Sequence, residues 1–283
     1  MTQDIQVEFW GTRGSIPSPG QETARFGGNT SCVEVRVAGK TLIFDAGTGI
    51  RALGKSLQAR GLNDVHLLMS HYHWDHIMGL PFFALMFDPT AQVHLYGEPR
   101  GELGVEQVLA GQMREPYFPV PWAALEASIT PQDVGPGQTF TIDDVTVRTC
   151  RLHHPQHALA YRVEWGGYSV VYATDIEHGS DRDAAFIEFC RDTDILIMDC
   201  TFEDHEYPNH IGWGHSTWQA GVRFADAATV GRLVIFHHAP ERTDGEVSGI
   251  EAKARAMRPG TIAAKEGMVL KVGSADVRLA TGS

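Results

Sequence analysis

Four residues with metal-binding side chains fall within six positions of one short segment. The segment "SHYHWDH" follows the apolar run "VHLLM" and carries His71, His73, Asp75 and His76. In an extended backbone, His71 and His73 lie on the same side of the chain and can hold one ion, because side chains alternate in direction. Asp75 and His76 follow a turn and can face a second ion. A cluster this dense predicts metal binding rather than a set of core histidines.

The donor atoms of this cluster limit the choice of metal. Imidazole and carboxylate groups without a thiolate suit zinc, manganese or iron. We therefore expect two divalent ions, with zinc as the first choice and manganese or iron as alternatives. Paired ions of this kind hold and activate a bridging hydroxide for attack on an electrophilic centre.

Three further groups of His and Asp residues lie at the ends of predicted strands. "HHP" follows "VTVRTCRL", "TD" follows "YSVVYA", and "HH" follows "RLVIF". The tips of strands can bring side chains that are distant in sequence to one edge of a cleft, on a rigid backbone. The pattern therefore predicts that these groups join the first cluster in a single site.

Predicted strands alternate with tight turns in both halves of the chain, and the candidate residues lie at or just after the ends of these strands. Strands are predicted over residues 5–10, 31–45 (a hairpin), 65–70, 92–97, 139–155, 159–165, 168–175, 194–200, 232–238, 267–272 and 276–280. Helices are predicted over residues 50–60, 100–113, 181–191 and 247–257, and after residue 217. Helices late in each half indicate two sheets packed face to face with helices outside, in a single domain of residues 1–283.

Composition and charge restrict the partners of the chain. The formal net charge is -12, from 23 basic and 35 acidic residues. This balance argues against a surface that binds nucleic acid or anionic lipid by bulk electrostatics. An anionic substrate stays compatible with it, because bound divalent cations would reverse the local field.

Cysteine usage and hydropathy indicate the compartment. Cys32, Cys150, Cys190 and Cys200 are far apart, and we interpret them as free thiols in a reducing compartment. The first residues show no signal-peptide pattern, and no apolar stretch approaches the length of a membrane span. We therefore expect a cytoplasmic protein without a membrane partner.

The motifs together resemble a known family. "HYHWDH" is similar to the His-x-His-x-Asp-His signature of the metallo-β-lactamase fold, and "FDAGTG", "LHHP", "YATD" and "IFHHAP" resemble its further motifs in the family's order. "GWGHST" resembles an element of the phosphodiesterase branch, which includes tRNase Z, the carbon–phosphorus lyase accessory phosphodiesterase and cyclic-nucleotide phosphodiesterases. Asp175 stands where zinc β-lactamases have a bridging cysteine element. The resemblance implies an αββα sandwich of two mixed β-sheets flanked by helices.

The resemblance also implies which residues hold the two ions. It implies two triads and one carboxylate that bridges them: His71, His73 and His154; Asp75, His76 and His237; and Asp175. We prefer His154 to His153 because His154 directly precedes Pro155, as the family's ligand does. We prefer His237 to His238 because the ligand usually comes first after the strand.

The same resemblance assigns catalytic roles to Asp75 and His215. Asp75 would orient the hydroxide as well as bind its ion. His215 would contact the phosphate or protonate the leaving group, and it precedes a predicted helix start that favours anions. The alternative interpretation of "GHST" is a helix cap in which Ser216 or Thr217 accepts from free amides.

Two other aspartates are candidates for supporting roles. Asp45, in "FDAG", is expected to orient a histidine or the ligand loop rather than to bind an ion. Asp199 ends an apolar strand near the proposed site, and the sequence leaves its role open between support of the site and none.

The expected function is hydrolysis of a phosphoester, and in particular of a small phosphodiester such as a cyclic nucleotide. The alternatives are tRNA 3′ processing, hydrolysis of a thioester, lactone or β-lactam on the same metals, and metal binding without turnover. We prefer the small substrate because the acidic chain lacks an evident basic, Gly-rich arm, so nucleic acid is the less favoured partner. Tyr117, Phe118 and Trp122 are interpreted as packing or homodimer contacts, or as residues that stack on a base.

Overall fold

Residues 4–273, which this computed structural model describes, contain two seven-stranded β-sheets. Strands are numbered in chain order, and the first sheet has the order β14-β1-β2-β3-β4-β5-β6. Its strands are β1 (Ile5–Gly11), β2 (Cys32–Val37), β3 (Lys40–Phe44), β4 (Asp64–Leu68), β5 (Gln92–Gly97), β6 (Ser128–Asp133) and β14 (Val269–Val272).

The second sheet has the order β13-β12-β11-β10-β9-β8-β7. Its strands are β7 (Thr139–Ile142), β8 (Val145–Leu152), β9 (Ala158–Trp165), β10 (Tyr168–Ala173), β11 (Ile195–Asp199), β12 (Arg232–Phe236) and β13 (Ile262–Ala263). Both sheets are mixed, since β3 to β6 and β10 to β13 run parallel while the remaining neighbours are antiparallel.

Helices cover the outer faces of the two sheets. They are α1 (Ile50–Ala59), α2 (Trp74–Ile77), α3 (Val105–Ala110), α4 (Asp183–Cys190), α5 (Trp218–Ala227) and α6 (Asp244–Met257). Across residues 4–273, none of the helices combines the length and the apolar character needed to span a bilayer.

Three apolar clusters hold these layers together. The central cluster joins the inner faces of the two sheets, where the rings of Phe44 and Tyr172 stack with centroids 5.1 Å apart. A second cluster packs α4, α5 and α6 on the second sheet, and a third packs α1 and α3 on the first sheet. Burial of apolar surface on both faces of each sheet therefore produces the expected αββα sandwich.

Parallel strands determine where the polar loops gather. The strands β3, β4 and β5 run in one direction, as do β10, β11 and β12. The loops after the carboxyl ends of neighbouring parallel strands emerge at the same edge of a sheet. The segments that follow β4, β10 and β12 therefore open onto one side of the sandwich.

Several elements differ from the sequence prediction. The helix predicted over residues 100–113 is only α3, because Gly104 and Gly111 stand at its two ends and glycine is a poor helix former. The edge strand β6 was not predicted, since it contains Pro131 and is largely exposed, without an apolar face. The strand predicted over residues 276–280 lies outside the described residues. The four cysteines are unpaired, as predicted.

Candidate metal centre

The predicted metal ligands meet at the edge of the sandwich. His71 and His73 follow β4, His154 follows β8, Asp175 follows β10, and His237 follows β12. Asp75 and His76 belong to the short helix α2. The structure thus brings all seven candidates into two adjoining groups: His71, His73, His154 and Asp175; and Asp75, His76 and His237.

The first group consists of three imidazoles around one carboxylate. One donor atom from each of His71, His73, His154 and Asp175 lies within 4.8 Å of the others. His154 Nε2 is 3.1 Å from His73 Nδ1, and His71 Nε2 is 3.6 Å from Asp175 Oδ2. The four donor atoms are therefore close enough together to bind one ion.

The second group shares Asp175 with the first. Donor atoms of Asp75, His76 and His237 lie within 4.8 Å of one another. Asp175 Oδ1 is 3.2 Å from His76 Nε2 and 3.3 Å from His237 Nε2. Because Asp175 Oδ2 faces the first group and Oδ1 faces the second, this carboxylate is placed to bridge two ions.

In each pair of adjacent histidines, the structure shows which one faces the centre. His153 is exposed, whereas the adjacent His154 is buried in the first group. His238 is buried, but its Nε2–H donates to Ala264 O at 2.8 Å rather than facing the centre. The side chains at the centre are therefore those of His154 and His237.

Three residues at the centre have a left-handed backbone. Asp45, Asp175 and His237 have φ angles of 60°, 52° and 59°, respectively. Such angles are uncommon for residues other than glycine, and they cluster at functional sites. Asp45 and His237 directly follow β3 and β12, and Asp175 is the second residue after β10, so each lies in the turn that leaves a strand.

Asp45 holds a histidine of the second group in place. His76 Nδ1–H donates to Asp45 Oδ2 at 2.8 Å. The carboxylate also accepts from Ser70 N, Ser70 Oγ and Tyr172 Oη, each at 2.7 Å. These contacts direct His76 Nε2 toward the centre, which is the supporting role predicted for Asp45.

The chemistry of the donor atoms fits divalent cations. Buried His71 Nε2 and His76 Nε2 find no hydrogen-bond partner among residues 4–273. Burial lowers the pKa of His71 well below its usual value and that of His154 to about 4, so both rings keep a lone pair at neutral pH. Burial alone would raise the pKa of Asp175, but the surrounding histidines hold that pKa well below its usual range. Neutral imidazoles beside a buried anion form a cation site.

The amino-terminal Gly-rich loop "GTRGS" also reaches the centre, as its glycines indicate for a loop that approaches the site closely. Ser15 N donates to Asp75 Oδ2 at 2.7 Å. A Cβ atom on Gly14 would lie 2.3 Å from the His237 ring, so only glycine fits there. The glycines of this loop indicate a close approach to the site, but they do not identify Asp75 or His237 as the residues that the loop contacts.

His215 lies over the two groups with a fixed orientation. Its Nδ1–H donates to Asp199 Oδ2 at 2.8 Å, and its ring stacks on His237 with centroids 5.0 Å apart. Burial disfavours the charged ring, but Asp199 raises the pKa of His215 to about 9. Asp199 therefore favours the protonated form of the ring and fixes its orientation.

The helix-cap interpretation of "GHST" is confirmed for Thr217, one of the two residues expected to form the cap. Thr217 is the N-cap of α5, and its Oγ1 accepts from Ala220 N at 3.0 Å. Ser216 Oγ instead donates to Ile176 O. The cap and the orientation of His215 are therefore compatible, because different residues provide them.

Glu177 fixes the loop that carries His215, and sequence reasoning missed it. This buried carboxylate accepts from Gly212 N at 2.7 Å, from Gly214 N at 2.8 Å and from Tyr207 Oη at 3.0 Å. The carbonyl of Gly214 in turn accepts from His154 Nδ1 at 2.9 Å. Glu177 thus links the loop to the first group of ligands.

A cavity of about 280 Å³ adjoins the first group. Arg100 lies in its wall, and the Arg100 guanidinium carbon is 5.1 Å from the centroid of the Tyr72 ring. Trp74 and Trp213, which flank the ligand loop and the His215 loop in sequence, are 77% and 61% exposed. The cavity wall thus offers a cation, and two exposed aromatic side chains neighbour the metal-ligand and His215 residues in sequence.

The three aromatic candidates for stacking on a base differ in exposure. Tyr117 is exposed, whereas Phe118 packs edge-on against Phe82 with centroids 5.7 Å apart. Trp122 Nε1 donates to Glu106 at 3.0 Å and packs on the third apolar cluster. Phe118 and Trp122 therefore serve packing, and Tyr117 alone of the three is free.

Comparison with known proteins identifies relatives over almost the whole chain. Residues 40–238 match the family model described as the beta-lactamase superfamily domain. Ribonuclease Z of Thermoplasma acidophilum is 24% identical over 297 residues, which cover 87% of this chain and 90% of that protein. This relative confirms the resemblance to the phosphodiesterase branch.

Solved structures show the same fold. The metallo-β-lactamase fold protein YhfI of Bacillus subtilis superposes with a TM-score of 0.72, at 21% identity, over 95% of this chain and 100% of that chain. The short form of human tRNase Z superposes with a TM-score of 0.67, at 20% identity, over 94% of this chain and 98% of that chain. The chain belongs to the beta-lactamase superfamily domain family and is a metal-dependent hydrolase of the metallo-β-lactamase fold.

Proposed function

We propose that the chain hydrolyses phosphodiesters at a dinuclear centre and that its substrate is RNA. The observation that carries this proposal is the position of His215, whose ring lies against the ligand cluster and is held by Asp199. Hydrolysis of a phosphodiester releases a poor leaving group that needs a proton, and a fixed imidazolium supplies one.

We assign the two ions as the resemblance implies, with His71, His73 and His154 around one, Asp75, His76 and His237 around the other, and Asp175 between them. Zinc is the proposed metal, because three imidazoles and a carboxylate without a thiolate suit it. When bound, such ions polarise the phosphoryl oxygens and activate a water molecule.

Asp75 orients the nucleophile in this proposal. Its Oδ2 already accepts from Ser15 N at 2.7 Å, and it lies 3.2 Å from His237 Nε2. The carboxylate is therefore fixed on the side of the second group, where it can accept a hydrogen bond from the attacking water. A carboxylate held in this way aligns a lone pair of the water with phosphorus.

His215 donates the proton to the leaving oxygen. Its Nδ1–H is occupied by Asp199, which leaves Nε2–H as the donor. Transfer of that proton leaves a neutral ring that still donates from Nδ1 to Asp199. Asp199 itself is fixed by Thr201, whose backbone N and Oγ1 donate to it at 3.0 Å and 2.7 Å.

Two features support RNA over a cyclic nucleotide, which reverses the order expected from the sequence. Relatives that align with most of the chain are named ribonuclease Z. The exposed Trp74 and Trp213 belong to the ligand loop and the His215 loop in sequence, and exposed aromatic rings stack on unpaired bases. Stacking needs no bulk positive charge, so the net charge of -12 does not oppose it.

A basic groove offers a further contact for the RNA backbone. A cavity of about 760 Å³ lies between the outer face of the second sheet and α4. Arginine dominates its wall: Arg148, Arg151, Arg162, Arg182 and Arg191. Five of the 23 basic residues of an acidic chain are thus gathered in one place. Four of them pair with the carboxylates of Glu98, Glu164 and Glu188, so RNA phosphates would compete with these ion pairs.

Substrate selection by the purified metal-loaded protein tests the proposal. We expect cleavage of a precursor tRNA with a 3′ extension at a phosphodiester bond, and slower turnover of a cyclic nucleotide. Turnover of the cyclic nucleotide without RNA cleavage would overturn RNA as the substrate and keep the phosphodiester chemistry. Turnover of a lactone or thioester alone would overturn both parts of the proposal.

A further inference from the structure

A second group of metal-binding side chains lies away from the catalytic centre. Asp64 and His66 belong to β4, and His94 belongs to β5. The catalytic loop follows the carboxyl end of β4, whereas Asp64 is the first residue of that strand. His66 and His71 are five residues apart, which is roughly 16 Å along an extended chain.

The strand register brings the two imidazoles together. His66 and His94 are direct partners in the parallel pairing of β4 with β5. Their rings stack with centroids 4.6 Å apart at an angle of 15°. His94 Nε2 is also 3.2 Å from Asp64 Oδ1, and one donor atom from each of the three residues lies within 4.8 Å of the others.

One donor atom of this group has no partner. His66 is 7% exposed, and its buried Nε2 finds no hydrogen-bond partner among residues 4–273. Its Nδ1 lies 3.1 Å from Tyr96 Oη, so an Nδ1–H that donates to the phenol leaves the lone pair on Nε2. A buried nitrogen without a partner destabilises the folded chain, and a bound cation would remove that cost.

The charge around this nitrogen favours a cation. Asp64 and Asp143 act on His66 as anions and outnumber Lys40, which acts on it as a cation and is paired with Asp143 at 2.7 Å. Burial lowers the pKa of His66 to about 4, so the ring is neutral and able to bind a metal at pH 7. Two imidazoles and one carboxylate without a thiolate form a donor set that suits zinc.

We propose that Asp64, His66 and His94 form a third metal site, which binds zinc and ties β4 to β5. The site is independent of the proposed function, because none of its residues lies in the catalytic centre. Asp64 and His94 are partly exposed, so the ion has access from solvent, and water would complete its coordination. Binding to the folded state alone raises its stability, since the unfolded chain does not hold the three ligands together.

Metal counting by equilibrium dialysis tests this site. Protein whose catalytic centre is already loaded is dialysed against micromolar free zinc, and zinc per chain is measured for wild type, His94→Gln and the exposed control His205→Gln. We expect wild type and His205→Gln to hold one zinc more than His94→Gln, and to show a zinc-dependent rise in the melting temperature that His94→Gln lacks. Equal zinc content in all three proteins would overturn the proposal.

A second measurement on wild type covers the case in which the variant does not fold. The ¹⁵N signals of the His66 and His94 rings are followed by NMR during the same zinc titration. We expect both sets of signals to shift on addition of the extra equivalent. Signals that stay unchanged while the protein takes up zinc would overturn the proposal, because the ion would then lie elsewhere.

Discussion

At the scale of single residues, three imidazoles of the centre direct one nitrogen toward the cluster, while the other nitrogen contacts a polar side chain. Ser70 Oγ lies 3.0 Å from His71 Nδ1, Asp45 accepts from His76 Nδ1, and Thr201 Oγ1 lies 3.1 Å from His237 Nδ1. These contacts determine the tautomer and the direction of each ring before any ion binds.

Replacement of His215 separates phosphodiester cleavage from other hydrolytic activities. His215→Ala removes the proton donor, and we expect the kcat for an aryl phosphodiester to fall by about 10²–10⁴-fold. The metal content should stay that of the wild type, since His215 is not one of the proposed ligands. The exposed His205→Ala is the matched control. Unchanged phosphodiester cleavage by His215→Ala would contradict the assigned role.

Replacement of two exposed tryptophans tests whether the substrate is RNA or a smaller phosphodiester. Trp74→Ala and Trp213→Ala each remove a face on which a base can stack, which is worth about 1–3 kcal/mol per base. We expect a higher KM for precursor RNA in each variant and an unchanged KM for a small aryl phosphodiester. Phe87→Ala, a change at another exposed aromatic residue, is the control. Equal effects on both substrates would contradict stacking.

At the scale of elements, the loop between β11 and α5 depends on a carboxylate far from it in sequence. Glu177 accepts two backbone N–H groups of this loop, from Gly212 and Gly214. The "GHST" motif showed that a histidine belongs to the site, but nothing in the sequence connects it with Glu177. Such contacts arise from the packing of two loops and carry no local pattern.

Removal of this carboxylate tests the link. Glu177→Ala leaves the two N–H groups unpaired, so we expect the loop to shift and kcat for the aryl phosphodiester to fall while the two catalytic ions stay bound. Glu188→Ala, which removes an exposed carboxylate paired with Arg191, should leave kcat unchanged. A wild-type kcat for Glu177→Ala would show that the loop positions His215 without this contact.

The helices and strands that surround the site were predictable where their sequence pattern is strong. The hairpin of β2 and β3 and the helix α1 match the predicted segments, because apolar residues recur at the spacing of each element. Edge strand β6 has no buried face and escaped prediction. The proposed ligands were predictable from the resemblance, whereas Ser15 and Glu177 act through long-range contacts that only the fold reveals.

At the scale of the whole molecule, charge and burial determine the response to pH and to partners. The chain is acidic overall, yet arginines gather in one groove on the second sheet. Composition alone averages over this separation, so net charge does not report a local cluster of arginines. A homodimer and a cytoplasmic location stay predictions from the sequence.

Acid should unfold the metal-free protein in part through His66. Burial lowers the pKa of His66 to about 4, so between pH 6.5 and pH 4 the unfolded chain binds a proton that the folded chain does not. The stabilising effect of the neutral ring is complete above pH 6.5 and is lost as the pH falls through this window. We expect His66→Gln to reduce the slope of unfolding free energy by up to about 1.4 kcal/mol per pH unit.

Chemical denaturation in a chelator at several pH values measures this slope. Tyr96→Phe is the control, because it removes the phenol beside His66 Nδ1 but keeps the buried imidazole. We expect Tyr96→Phe to retain the slope of the wild type. An identical slope in His66→Gln would show that His66 does not titrate in this window.

Metal titration of phosphodiester cleavage tests whether the chain is a dinuclear phosphodiesterase. Metal-free protein is mixed with increasing zinc, and hydrolysis of an aryl phosphodiester is followed together with bound zinc per chain. We predict that activity rises with the first two equivalents and that Asp175→Ala, which removes the shared carboxylate, binds fewer ions and cleaves far more slowly. Full phosphodiester cleavage without metal, or by Asp175→Ala with one ion, would contradict a dinuclear phosphodiesterase.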